Sequence, residues 1–139
     1  MHSGASWVRK IALVGAATAV SAAGLVAGAA PAAAASYNGA CGDGYVVVNQ
    51  RDLDRGTVYL TYNSGNGYNC VVTVRDNPGT RLTMFAGISR QSDSAWYDVD
   101  QGEYTTYAGP VYRHAPGECV TWGGAIEGDY NGGNNTNCG

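Results

Sequence analysis

Short segments of alternating apolar residues limit the fold of this chain more than any other feature. In GTVYLTYN (residues 56–63), Val58 and Leu60 fall on one face and Tyr59 on the other, as the two-residue period of a β-strand requires. The segment NCVVTVR (69–75) alternates in the same way, and the intervening Asn66-Gly67 suits a tight turn with positive φ. These two segments predict a β-hairpin.

Other segments of similar length have strand character and are separated by turn residues. They are VVVN (46–49), RLTMFAGIS (81–89), SAWYDV (94–99), EYTTY (103–107), PVYRH (110–114) and ECVTWGGAI (118–126). Asp100-Gln101-Gly102 and Ala115-Pro116-Gly117 predict a second and a third hairpin. No segment after residue 35 has a capped helical period. The pattern therefore predicts an all-β fold, a small antiparallel β-sandwich or barrel of about 7–8 strands.

The first 35 residues have the three-part pattern of a secretory signal peptide. A short basic start precedes an apolar run over residues 11–28, and Ala33-Ala34-Ala35 forms an A-x-A cleavage site before Ser36. A membrane anchor is the alternative, because the run reaches the ~18 residues that span a bilayer. Its alanine and glycine gain little from lipid, and no basic cluster follows it. The sequence predicts a signal peptide over 1–35, a single secreted β domain over 36–139, and no stable membrane insertion after cleavage.

Four cysteines follow the predicted cleavage site, and in an exported protein an even number indicates disulfides. They allow three pairings. We favour Cys41–Cys70 and Cys119–Cys138, because sequential pairing joins neighbouring strands without crossovers. A zinc site would need ligand pairs at short spacing, which this chain lacks. The sequence therefore predicts neither a metal nor a cofactor.

The C-terminal stretch between the last two cysteines is predicted to be a pinned chain end. Its segment NGGNNTN (131–137) has no apolar residue that could hold it against a core. Such an end would fray if it were free. A disulfide to Cys138 would prevent this.

Several segments carry a resemblance to a known family. SYNGACGDGYVVVN, GTVYLTYNSGNGYNCVVTVRDNPGT, YAGPVY, GECVTWGG and the closing NCG are similar to the spore-associated protein A family of streptomycetes and related actinomycetes. The resemblance covers nearly all of residues 36–139. It implies a small exported protein found with aerial hyphae or spores, and it brings no catalytic positions. The four cysteines lie inside the resembling segments, which supports a structural role for them.

The charge of residues 36–139 argues against a nucleic-acid partner. This part has six dispersed arginines, no lysine and eleven acidic residues, so its net charge is about −5. Nucleic-acid phosphates require clustered cations. The partners we expect are cell-wall or spore-surface components, either protein or glycan.

The acidic residues and the single histidine after residue 35 give weak support for catalysis. His114 lies beside a Pro-Gly turn, and no G-x-S-x-G motif precedes it. A glycosidase needs two carboxylates across a cleft, whereas the acids here cluster at predicted turns, where solvated side chains are usual. These acids are Asp98, Asp100, Glu103, Glu118, Glu127 and Asp129. The segment DVDQGE also fails the EF-hand calcium pattern. We therefore do not predict an enzyme.

Aromatic residues are the better candidates for a binding surface. Planar rings give a large contact area at little entropic cost, and they stack on sugars and on proteins. Tyr59 lies opposite the Val58/Leu60 face, while Trp96 and Tyr97 must point in opposite directions. The possible aromatic binding surface comprises Tyr59, Trp96, Tyr97 and Tyr104.

Two classes of function fit these features. The first is an exported, non-enzymatic protein attached to the spore or hyphal surface. The alternative is a small carbohydrate-binding module that recognises cell-wall glycan, and a secreted hydrolase is the least favoured reading. A coplanar row of exposed rings would favour the module, whereas scattered rings would favour the surface-attached protein.

Overall fold

The computed structural model describes residues 36–139, which form eight β-strands. The strands are β1 (Val46–Leu53), β2 (Gly56–Asn63), β3 (Tyr68–Arg75), β4 (Leu82–Arg90), β5 (Asp98–Tyr104), β6 (Tyr107–His114), β7 (Val120–Ile126) and β8 (Asp129–Thr136). Residues 36–139 contain no helix with the length and hydrophobicity needed to cross a bilayer. The predicted signal peptide lies outside the described residues.

The strands form two antiparallel four-stranded sheets that pack face to face. Sheet A has the order β1-β2-β3-β6, and sheet B has the order β5-β4-β7-β8. The predicted all-β sandwich is confirmed. The core between the sheets comprises Leu53, Val58, Leu60, Val71, Met84, Ala86, Ile88, Ala108, Val111, Ala115, Val120, Trp122 and Ile126.

Of the three predicted hairpins, only the first is confirmed. In the β2–β3 hairpin Asn63 pairs with Tyr68, and Gly67 has a positive φ of 77°. The second is wrong, because residues 100–102 lie inside β5, which pairs with β4 along its length. Strand β5 escapes the hydrophobic pattern because Asp98 and Asp100 occupy half-buried positions while the intervening Val99 is exposed.

The third predicted hairpin is a crossover between the two sheets. Strand β6 pairs with β3 in sheet A, whereas β7 pairs with β4 in sheet B. The connection through Ala115-Pro116-Gly117 therefore moves the chain from one sheet to the other. Turn residues are found where a chain changes direction, both in hairpins and in crossovers. The local sequence therefore does not distinguish the two.

The predicted pinned end at the C-terminus forms strand β8. Glu127 and Gly128, with φ of 51° and 84°, make the tight turn that returns the chain alongside β7. A Cβ on Gly132 would lie 2.1 Å from the carbonyl oxygen of Trp122, so only glycine permits this close pairing. The predicted Cys119–Cys138 disulfide is present and joins the residue before β7 to the segment after β8.

Side chains bridge the edges of the two sheets on both sides of the sandwich. On one side, carboxylate oxygens of β5 accept hydrogen bonds from backbone N–H groups of β6, with Asp98 to Tyr112 and Asp100 to Gly109 both at 2.8 Å. The other side joins the end of β1 and the following turn to β8. Asp129 there accepts from the Asp54 N–H at 2.7 Å, and Asn131 donates to the Asp52 carbonyl oxygen at 3.0 Å.

The chain that precedes β1 covers the outer face of sheet A. Tyr37 and Ala40 pack on a buried cluster of Tyr59, Val72 and Val74. The predicted Cys41–Cys70 disulfide is present and attaches this segment to β3. The hydroxyl of Tyr112 also donates to the Cys41 carbonyl oxygen at 2.9 Å. The sandwich therefore has one covered outer face.

Candidate functional site

Tyr59 does not belong to a binding surface, so its prediction as a surface ring is wrong. Only 4% of the residue is exposed, and its ring lies 5.8 Å from that of Tyr37. The sequence placed Tyr59 correctly on the face opposite Val58 and Leu60, since Tyr59 packs in a separate buried cluster. That face is covered because the segment before β1 folds over it. Burial accordingly raises the pKa of Tyr59.

Tyr104 also has a structural position and lies apart from an exposed aromatic surface. Its ring is partly buried and packs against the core between the sheets. Its hydroxyl donates a short hydrogen bond to the Asp100 carboxylate, and this bond is the main cause of a raised pKa of Tyr104. Tyr104 thus positions the carboxylate that bridges β5 to β6.

Trp96 and Tyr97 are exposed, and they lie in the loop before β5. Trp96 is 39% exposed and Tyr97 is 59% exposed. The guanidinium of Arg113 lies 3.5 Å from the centre of the Tyr97 ring, a cation–π contact that fixes this side chain. Trp96 instead turns onto the outer face of sheet B, where a set of aromatic rings is uncovered.

We call this set, Phe85, Trp96 and Tyr130, the aromatic patch. The ring centres of Phe85 and Trp96 lie 5.6 Å apart with an interplanar angle of 66°, and those of Phe85 and Tyr130 lie 6.5 Å apart at 46°. Tyr130 is 52% exposed. The rings are adjacent but not coplanar, so they present an uneven apolar surface.

Glycines beneath the rings explain why the aromatic patch lies close to the sheet. Gly87 of β4 pairs with Gly123 of β7. A Cβ on Gly87 would lie 2.6 Å from the Phe85 ring and 3.2 Å from the Trp96 ring, and one on Gly123 would lie 2.3 Å from the Tyr130 hydroxyl. The absence of side chains at these positions lets the rings rest on the backbone.

Sequence reasoning found one member of the aromatic patch and missed the other two. Phe85 occupies the position between Met84 and Ala86 that alternation directs away from the core, and this signal was available. Tyr130 lies in a glycine- and asparagine-rich segment without strand alternation. Only the pairing of β8 with β7 brings its ring beside Phe85.

An ion-pair network holds the loop that carries Trp96. Asp93 accepts hydrogen bonds from Nε and Nη2 of Arg113, both at 2.9 Å, and from the Arg90 N–H at 2.7 Å. The Arg113 bond is the main cause of the lowering of the Asp93 pKa from 3.8 to about 2. Glu118 accepts from the Ser92 N–H at 2.9 Å. Two arginines and two acids therefore balance in charge beside the aromatic patch.

A shallow groove lies between this loop, the start of β7 and the end of β8. Its volume is about 360 Å³, within the range of small-molecule sites. Hydroxyl and amide groups line it together with the Trp96 ring. The lining residues are Ser89, Arg90, Gln91, Asp93, Ser94, Ala95, Trp96, Thr121 and Asn135.

The acids that the sequence placed at turns bind backbone groups. Besides the bridging carboxylates of β5, Glu127 accepts from the Thr83 N–H at 2.7 Å, and Asp129 links β8 to the turn after β1. Glu103 is exposed. His114 is exposed, and its ring lies 4.9 Å from that of Tyr68. Within residues 36–139, no three His, Cys, Asp or Glu side chains group in a way that could hold a metal ion.

The comparisons with known proteins identify one relative at high similarity. "Spore-associated protein A" of Streptomyces coelicolor is 55% identical to this chain over 102 residues, which cover 72% of this chain and 66% of that protein. No protein-family model and no solved structure matches the chain. This similarity agrees with the resemblance to the spore-associated protein A family that the sequence segments indicated. The chain belongs to the spore-associated protein A family.

Proposed function

We propose that this protein is exported and attaches, without catalysing a reaction, to the spore or hyphal surface through the aromatic patch on sheet B. The spore association named for the relative supports the location. The aromatic patch itself carries the proposal of attachment. Apolar rings that form a contiguous uncovered surface mark interaction sites more reliably than single exposed side chains do.

The geometry of the aromatic patch favours a protein surface of the envelope as its partner. Rings inclined at 66° and 46° form an uneven surface that suits side chains of varied shape better than the extended flat face of a polysaccharide. The rings rest on glycine backbone, so they lose little conformational entropy on binding. Such preorganised aromatic residues are typical of positions that contribute most of a binding energy.

The positions of the carboxylates support a non-catalytic role. Asp98 and Asp100 accept hydrogen bonds from backbone N–H groups of β6, and Asp93 forms an ion pair with Arg113. A general acid or base must be free to exchange a proton with a substrate. Carboxylates that hold strands and loops together are poorly suited to this task.

Recognition of a cell-wall glycan is the second candidate, and the groove beside Trp96 favours it. One indole face with hydroxyl and amide groups around it can stack on a sugar ring and bind its hydroxyls. The charges of Arg90 and Arg113 are paired with acids. A neutral saccharide therefore matches this groove better than a charged one.

Binding to spores that lack the endogenous protein tests the proposed function. We expect the double variant Trp96→Ala/Tyr130→Ala to lose about 1 to 3 kcal/mol of attachment free energy, the range for central interface contacts. Tyr68→Ala and Tyr107→Ala are matched controls, because these exposed rings lie on sheet A. Bound protein is measured against concentration for each variant.

Two further arms separate the candidates. If soluble wall oligosaccharide competes with attachment of the wild type, and the single variant Trp96→Ala loses this competition, the result would favour the glycan. Attachment that survives the double variant but is lost in Glu103→Gln would overturn the aromatic patch in favour of an acid-based site.

A further inference from the structure

We infer that the first part of strand β1, Val46–Val48, pairs edge to edge with the same segment of a second copy of this chain. We call this segment the open edge. It lies on sheet A, whereas the aromatic patch lies on sheet B. The inference therefore stands independently of how the protein attaches to a surface.

Polar side chains form hydrogen bonds that join the other edge strands of the two sheets to each other. Strands β5 and β6 are joined through Asp98 and Asp100. The end of β1 and its following turn are joined to β8 through Asp129 and Asn131. Natural β-proteins block their edges in such ways because free N–H and C=O groups recruit further strands.

In the middle of β1, side chains of the strand itself form hydrogen bonds to its backbone groups. The Asn49 side-chain oxygen accepts the Gln50 N–H at 2.9 Å, and the Arg51 guanidinium donates to the Gln50 carbonyl oxygen at 2.9 Å. The guanidinium also bonds the Asn49 side-chain oxygen. From residue 49 onward, an incoming strand would have to displace these bonds.

The open edge has no such hydrogen bonds from side chains within the part of the chain that the structure describes. Val46, Val47 and Val48 are 63%, 37% and 43% exposed. On its other side the segment pairs with β2, with a register irregularity between Val47 and Asn49. Three exposed valines with high strand propensity and no charge or proline form the kind of edge that pairs with another strand.

The sequence of the open edge is suited to pairing with the same segment of a second copy of this chain. Antiparallel pairing about a twofold axis through Val47 places Val46 opposite Val48 of the other copy, so only β-branched apolar side chains meet. Residues 44–50 carry no charge, although the chain after residue 35 has a net charge of about −5. Two like-charged copies can therefore approach each other at this neutral segment.

The size of the contact sets the expected strength of association. A few paired residues bury less than the ~1,200 Å² of a standard stable interface. We therefore expect a reversible dimer that forms at high protein concentration. Copies held side by side on a surface would meet this condition.

Sedimentation equilibrium over a concentration series tests the inference, with the whole sequence expressed in an actinomycete host and the protein recovered as that host processes it. We expect the average mass of the wild type to rise reversibly toward that of a dimer. Val46→Lys/Val48→Lys should weaken dimerisation at least tenfold, because lysines would then face each other. Val99→Lys is the matched control, since this exposed valine lies on β5 of sheet B.

A charge-swap mixture identifies the occupant. The lysine double variant and Val46→Glu/Val48→Glu should each remain monomeric, and their equimolar mixture should form heterodimers. Monomeric wild type at every concentration reached, or a mixture that does not associate, would overturn the inference. So would a control variant that is monomeric.

Discussion

The two outer faces of this sandwich carry aromatic side chains that have opposite fates. On sheet A, Tyr59 lies under Tyr37 and Ala40 and is 4% exposed. On sheet B, Trp96 and Tyr130 rest on glycine backbone and are 39% and 52% exposed. Strand alternation directs both sets away from the core between the sheets, so alternation alone does not decide exposure.

The difference arises from the two ends of the domain. The segment before β1 folds over sheet A and is attached there by Cys41–Cys70. The segment from Asp129 to Thr136 instead becomes strand β8 at the edge of sheet B, so within residues 36–139 it extends this sheet and does not cover its outer face. Each end is attached by a disulfide, and the first end covers a face whereas the second extends a sheet.

The largest effect that separates the two faces is expected from removing one ring on each. Tyr59→Ala should lower the free energy of unfolding by about 3 to 5 kcal/mol, the range for a buried aromatic residue. Tyr130→Ala should lower it by about 1 kcal/mol or less, because half of this residue is already exposed. Urea unfolding monitored by circular dichroism measures both values.

Equal losses in the two variants would contradict the assignment of one covered and one uncovered face. Tyr59→Phe is the control for the ring itself. It keeps the packing against Tyr37 and removes only the hydroxyl, so it should cost less than Tyr59→Ala.

The sequence predicted the class of fold because strand alternation is a local signal. It predicted the disulfides because an exported protein with an even number of cysteines usually forms them. The β2–β3 hairpin has alternation on both strands and a glycine turn between them. Strands β5 and β8 escaped prediction because their half-buried positions hold aspartate, glycine and asparagine in place of apolar residues. These residues make bonds across the sheet edges, which depend on partners distant in the sequence.

The candidate site was only partly predictable for a related reason. Trp96 could be identified from its local sequence. Tyr130 reaches Phe85 only through the pairing of β8 with β7, and Tyr59 is buried only because a distant segment folds over it. Exposure is a property of the assembled sandwich, so a strand pattern restricts the choice of rings without selecting among them.

Removing one disulfide at a time compares the attachments of the two ends. Cys41→Ser/Cys70→Ser and Cys119→Ser/Cys138→Ser should each lower the free energy of unfolding by about 3 to 4 kcal/mol, from the loop lengths of 29 and 19 residues. Hydrogen exchange should distinguish them. Loss of the first disulfide should expose β2 and β3 backbone, whereas loss of the second should expose β8. The same protection map in both variants would contradict separate roles for the two ends.

The smallest expected effect concerns acid, which should loosen the uncovered face before the covered one. Asp93 of the Trp96 loop pairs with Arg113 of sheet A, and its pKa is lowered from 3.8 to about 2 in the folded protein. A lowered pKa stabilises the fold above the unfolded value and loses this contribution as pH falls from about 4 to 2. Asp93→Asn should therefore cost about 2 kcal/mol at pH 5 and almost nothing near pH 2. Denaturant unfolding at several pH values measures this, with the exposed Asp43→Asn as control. A cost for Asp93→Asn that does not change with pH would show that the Asp93–Arg113 pair does not hold the loop.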